Sequence, residues 1–92
     1  MARITVERPH ALGKDKAREK AELLAEKLGD KYGIEHSWDG DTVSLEGKGA
    51  KGTVQVEEAL VRVSIELNFF LSAMSSTIQS EVERQLDKAL AA

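Results

Sequence analysis

The sequence predicts an α+β fold: a two-layer sandwich of about five antiparallel strands with two helices on one face, in the order β-α-β-β-β-β-α. Three observations carry this. Apolar residues alternate with period two in five short stretches. Two longer stretches repeat their apolar residues every three or four positions. Only short turn signals separate the last four strands, which makes them an antiparallel meander. The 92 residues are expected to form one α+β domain, 1–92, large enough for one modest core.

The first strand runs from Arg3 to Glu7, with Ile4 and Val6 on one side and Arg3, Thr5 and Glu7 on the other. Pro9 cannot donate to a ladder and stops it. A helix follows from Lys14 to Tyr32, with Ala17, Ala21, Leu24, Leu28 and Tyr32 as its apolar stripe. Gly13 is the expected N-cap and Gly33 the C′ residue. Ile34, His36 and Trp38 share the next strand face, and Asp39-Gly40-Asp41 marks a tight hairpin before Val43 and Leu45. Gly47 to Gly52 is read as a second connection, with a bulge or short strand extension. Val54 and Val56 form the following strand, and Glu57-Glu58-Ala59 turns the chain. The longest alternation runs through Val61, Val63, Ile65, Leu67 and Phe69. The last helix spans about Ala73 to Leu90, capped by Ser72, with Met74, Ile78, Val82, Leu86 and Ala89 inward and Glu81, Glu83, Arg84, Asp87 and Lys88 in water. The first strand is expected beside the last. That arrangement is analogous to an abbreviated helix-grip, in which a curved sheet embraces the C-terminal helix.

Composition narrows function. There is no cysteine, so disulfides, thiolate metal sites and a cysteine nucleophile are excluded, in keeping with a reducing cytoplasm. No leader pattern opens the chain, and no run approaches the roughly 20 apolar residues of a transmembrane span. Residues 1–32 carry eight Lys/Arg and six Asp/Glu, while residues 33–92 carry five and ten. The net charge of -3 is not that of a nucleic-acid binder, and no nucleic-acid partner is expected.

Several residues invite a functional reading. Gly47-Lys48-Gly49-Ala50-Lys51-Gly52 has the letters of a dinucleotide loop, but a strand follows it, not a helix, so a glycine-bent β connection is expected and no cofactor. His10 lies between strand and helix, either as a loop imidazole bonded to backbone or as a binding or acid–base group at a groove rim. Arg8, beside it, has no assigned local task. His36 reads as a satisfied, partly buried histidine. His10, His36, Asp39 and Asp41 are the one conceivable metal set, and His36 and Asp39 point to opposite faces, so no metal is expected. Asp39 and Asp41 read as turn residues, with no apolar pocket to raise a carboxylate pKa. Trp38 covers a core edge or contacts a partner. Phe69, Phe70, Leu71 and Met74 form the most suggestive apolar cluster. Alternation sends Phe69 and Leu71 to the core and leaves Phe70 outward, either as an ordinary exposed aromatic or as a contact for a partner, a lipid or a second copy of the chain.

The opening Ile4-Thr5-Val6-Glu7-Arg8-Pro9-His10-Ala11-Leu12-Gly13, running into Ala17-Arg18, resembles the start of the polyhydroxyalkanoic acid system family, small proteins encoded near bacterial polyester-storage genes. Tyr32-Gly33, Trp38-Asp39-Gly40-Asp41, Gly49-x-x-Gly52 and the closing strand and helix extend the resemblance over nearly the whole chain. The family has no agreed catalytic activity, so the resemblance implies a pathway rather than a reaction. It implies a non-enzymatic accessory of polyhydroxyalkanoate storage in the cytoplasm. Such a protein would bind granule proteins or the granule surface, with protein-mediated association expected over polymer coating because no long amphipathic helix is present. A homodimer is a further expectation. The alternative is an acyl- or hydroxyacyl-binding module with a groove between Val61, Val63, Ile65, Met74 and Ile78 and His10 near its mouth. A third reading, an enzyme using His10 with a carboxylate, lacks a nucleophile, metal set or cofactor loop.

Overall fold

A computed structural model describes residues 2–90. The elements are β1 (Ala2–Pro9), α1 (Lys14–Tyr32), β2 (Glu35–Asp39), β3 (Thr42–Gly47), β4 (Ala50–Val56), β5 (Leu60–Leu67), α2 (Phe69–Ser72) and α3 (Ser75–Leu90). The five strands form one sheet in the order β1-β5-β4-β3-β2, with every neighbouring pair antiparallel. This is the predicted α+β architecture with one added helical turn, α2.

Alternation decides the two faces of the sheet. Ile4, Val6, Val43, Leu45, Val54, Val56, Val61, Val63, Ile65 and Leu67 are buried on one face. From the helix layer α1 adds Ala17, Ala21, Leu24, Ala25 and Leu28, and α3 adds Ile78, Val82 and Leu86. The small alanines at the start of α1 let its backbone approach the sheet closely. α1 lies over β2, β3 and β4, while α3 lies over β1 and against α1. The opposite face is open and polar. Thr5, Ser64, Thr53, Ser44 and Ser37 pair directly across all five strands, with the Arg3–Glu66 and Arg62–Glu7 ion pairs on either side of that row.

Two connections differ from expectation. The first hairpin turns on Gly40 and Asp41, because Asp39 is still paired with Thr42. Gly40 has φ 63°, the II′ pattern of positive φ at the first turn residue. The Gly47–Gly52 stretch is mostly strand: β3 reaches Gly47, β4 starts at Ala50, and only Lys48 and Gly49 turn. Two of its glycines answer to local geometry. Gly49 has φ 83°, and a Cβ at Gly52 would overlap the backbone oxygen of Ser64.

The largest departure follows β5. The paired register runs to Leu67, opposite Ala2 of β1 and Ala50 of β4. The Asn68 backbone N–H still donates to the Gly49 carbonyl at 2.8 Å, while its side chain caps a helical turn: Oδ1 accepts from the backbone N–H of Leu71 at 3.1 Å. The last helix, α3, begins at Ser75, so Ser72, expected as its cap, is instead the final residue of α2. Ser72 donates its hydroxyl back to the Asn68 carbonyl at 2.8 Å. The strand parity that sends Phe69 to the core is broken at this cap, and both phenylalanines project outward, each 85% exposed. Met74, expected on the inner stripe of the last helix, precedes α3 and is 43% exposed. Glu81, expected in water, is only 7% exposed.

Candidate functional site

The five residues singled out in the sequence do not converge. They fall at opposite ends of the sheet. Arg8, His10 and Trp38 lie at the end where β1 finishes, together with the Gly40–Asp41 turn and residues 57–59. Phe70 and Met74 lie at the other end, beyond Leu67.

At the first end almost every polar group has a partner. His10 Nδ1 accepts from the Leu12 backbone N–H at 3.2 Å, so that nitrogen carries no proton, and Nε2–H donates to the Glu57 carbonyl at 2.9 Å. The His10 backbone N–H also donates to the Ala59 carbonyl at 2.9 Å. The imidazole thus ties the β1–α1 connection to the β4–β5 turn, and both ring nitrogens are engaged. Arg8 Nε donates to Asp87 Oδ1 at 2.7 Å and its guanidinium lies 3.8 Å from Glu83, fastening β1 to α3.

A second polar cluster joins α1 to the edge strand β2. Glu22 accepts from the Trp38 indole N–H at 2.8 Å and from His36 Nε2 at 3.0 Å. The Trp38 hydrogen bond, helped by His36, holds the Glu22 carboxyl below the usual carboxylate range. The Arg18 guanidinium sits 4.7 Å from the Trp38 ring centroid, close enough for a cation–π contact. Trp38 is partly buried against the core. Lys14 donates to Asp41 at 2.8 Å; this bond lowers the Asp41 pKa and raises that of Lys14. Asp41 is therefore a turn residue with an ion-pair task. Among the described residues no three His, Asp or Glu side chains are grouped as a metal site.

The second end is apolar and open. Phe69 and Phe70 sit side by side on α2, with Met74 just beyond, and Leu71 is half-buried beneath them. Phe69 is the functional candidate that alternation hides. Its signal is Asn68, a helix-capping residue three positions before Leu71, which competes with a longer strand.

The groove expected between the sheet and the last helix is filled. Val61 and Val63 are fully buried, and Met74 lies outside. The enclosed space beside Leu28, Ile65, Leu71 and Ile78 is roughly 20 Å³, about room for one water. No helix among the described residues is long and apolar enough to cross a membrane.

A family model described as “Putative polyhydroxyalkanoic acid system protein” matches residues 4–90. No curated protein matches the sequence. Among solved structures, the NMR structure of PA4090 from Pseudomonas aeruginosa superposes with a TM-score of 0.63 at 12% identity, covering 100% of this chain and 88% of that one. This likeness is one of fold. A crystal structure of TTHA0849 from Thermus thermophilus, also 12% identical, covers 97% of this chain and 94% of its own, but its TM-score of 0.42 is too low to bear on the argument.

Proposed function

The chain belongs to the polyhydroxyalkanoic acid system protein family, and from that membership we propose that it is a non-enzymatic accessory of polyhydroxyalkanoate storage, docked on the granule surface through Phe69, Phe70 and Met74. The observation that carries the reading is the pair of consecutive phenylalanines, each 85% exposed, in a chain with two Phe in all. Single exposed apolar residues are ordinary, but adjacent ones at a helix corner form a patch.

Polyhydroxyalkanoate is an aliphatic polyester, and its granule offers an apolar phase to such a patch. Burying one phenylalanine is worth roughly 1.5–3 kcal/mol. Two of them anchor a small folded protein reversibly rather than permanently. Both long helices already bury their apolar stripes on the sheet and are not free to coat polymer, which suits a protein that visits the surface. This reading places the protein in the bacterial cytoplasm at the granule. The absence of catalysis is part of the proposal: both nitrogens of His10 bond to backbone, and Arg8 is held by carboxylates.

Co-sedimentation tests the docking. The full chain is expected to pellet with amorphous polyhydroxyalkanoate particles and with granules from polymer-accumulating cells. Pelleting with native granules but not with bare polymer would replace the polymer by a granule protein as the partner. A protein that stays in the supernatant in both cases contradicts the proposal.

A further inference from the structure

We infer that the outer groove between α1 and α3 binds an anionic amphiphile, a free medium-chain 3-hydroxyalkanoate. The inference rests on the family reading above but concerns a site separate from the phenylalanine patch.

Lys20, Leu23, Leu24 and Lys27 lie at i, i+3, i+4 and i+7 on α1, so they share one face. With Lys88 and Ala89 of α3 they line an open groove of roughly 280 Å³. That is near the lower limit of small-ligand sites and suits a single alkyl chain, not a helix. Its floor is apolar: Leu24 is buried, while Leu23 is left 47% exposed on an otherwise polar surface.

The rim is cationic, and none of its three lysines forms an ion pair among the described residues. Glu19, Glu26 and Asp30 of α1 lie near the rim lysines without pairing with them, and other carboxylates of the two helices are committed elsewhere. Glu81 holds Lys31 and Arg84, Glu83 and Asp87 hold Arg8, and Glu22 holds His36 and Trp38. Three positive charges around an exposed leucine complement a carboxylate with an alkyl tail. Gln85 also lines the groove. Its amide nitrogen donates to Glu81 at 2.8 Å, which leaves its carbonyl oxygen to accept from a 3-hydroxyl.

The test is an amide-resolved NMR titration of the full chain with sodium 3-hydroxyoctanoate below its aggregation threshold. Saturable shifts are expected at residues 20–27 and 85–89. 3-Hydroxybutyrate, which lacks the tail, and octan-1-ol, which lacks the charge, should each bind about tenfold more weakly. The K20Q/K27Q/K88Q variant, altered only at the surface, should keep its melting temperature and bind about tenfold more weakly. Absent shifts in the groove, shifts centred on residues 69–74, or equal binding of octan-1-ol would each overturn the inference. F69S/F70S separates the two readings, because it should lose granule docking and keep this titration unchanged.

Discussion

The two ends of the sheet are made by the same strands and differ in almost everything else. At the His10 end, the backbone of two connections is stitched together by one imidazole, and Arg8, Lys14 and Arg18 each meet a carboxylate. At the Phe69 end, the Asn68 cap turns the chain from strand into a one-turn helix, and two phenylalanines stand in solvent. Apart from the Arg18 Nε, buried without a hydrogen-bond partner, the functional-looking side chains of the first end are engaged internally and so have little left to offer a partner. The second leaves apolar area unburied, which costs free energy in water and is recovered only on contact with another surface. Residues that look chemical in the sequence are structural here, and residues that look like core carry the candidate function.

The sharpest way to break this comparison is to remove the patch. F69S/F70S should weaken binding to polyester particles by about 100-fold or more, from the lost burial of two aromatic rings. Its folding free energy should move by no more than about 0.5 kcal/mol, as for surface changes elsewhere. Sedimentation and denaturant melts read the two effects separately. The converse variant, H10A, should leave particle binding unchanged and cost about 1 kcal/mol of stability, because the part-buried Leu12 N–H and the exposed Glu57 carbonyl exchange their partner for water. A chemical melt measures it.

Acid titration probes the helix layer between the ends. Glu81 on α3 accepts from Lys31 on α1 at 2.7 Å. The Lys31 hydrogen bond, followed by that from Gln85, pulls its pKa from 4.5 to about 2. The folded-state pKa is depressed, so the stabilisation is fully present above pH 4.5 and is lost as pH falls towards 2. Wild type should therefore lose melting temperature more steeply than E81Q across that window. The smallest effect belongs to K14A. The Lys14–Asp41 pair is exposed, so water and salt screen it and little stability is lost with it. Its clearer signature is an upward move of the Asp41 titration midpoint by NMR, since Lys14 is what lowers it.

Much of this fold was legible because period and burial agree. Val61, Val63 and Ile65 alternate and are buried, and Ala17, Ala21, Leu24 and Leu28 form a stripe that packs on the sheet. What escaped depends on tertiary partners. Strand parity continues through Phe69, but the Asn68 backbone meets Gly49 of the β3–β4 turn and its side chain caps a helical turn, which alternation alone does not show. Glu81 reads as a solvated face until α1 is placed beside α3 with Lys31 above it. Glu22 likewise gains meaning only when β2 brings His36 and Trp38 beneath α1. His10 was recognisable as unusual, whereas its two backbone partners come from residues 12 and 57, the latter remote in sequence.

The comparison can be tested on one sample by hydroxyl-radical footprinting of the wild-type protein, free and bound to polyester particles. Phe69, Phe70 and Met74 at one end, and His10 and Trp38 at the other, are all reactive side chains that mass spectrometry resolves. Binding is predicted to protect the first three strongly and to leave His10 and Trp38 as reactive as in the free protein. Protection centred on His10 and Trp38, with Phe69 and Phe70 unchanged, would contradict it.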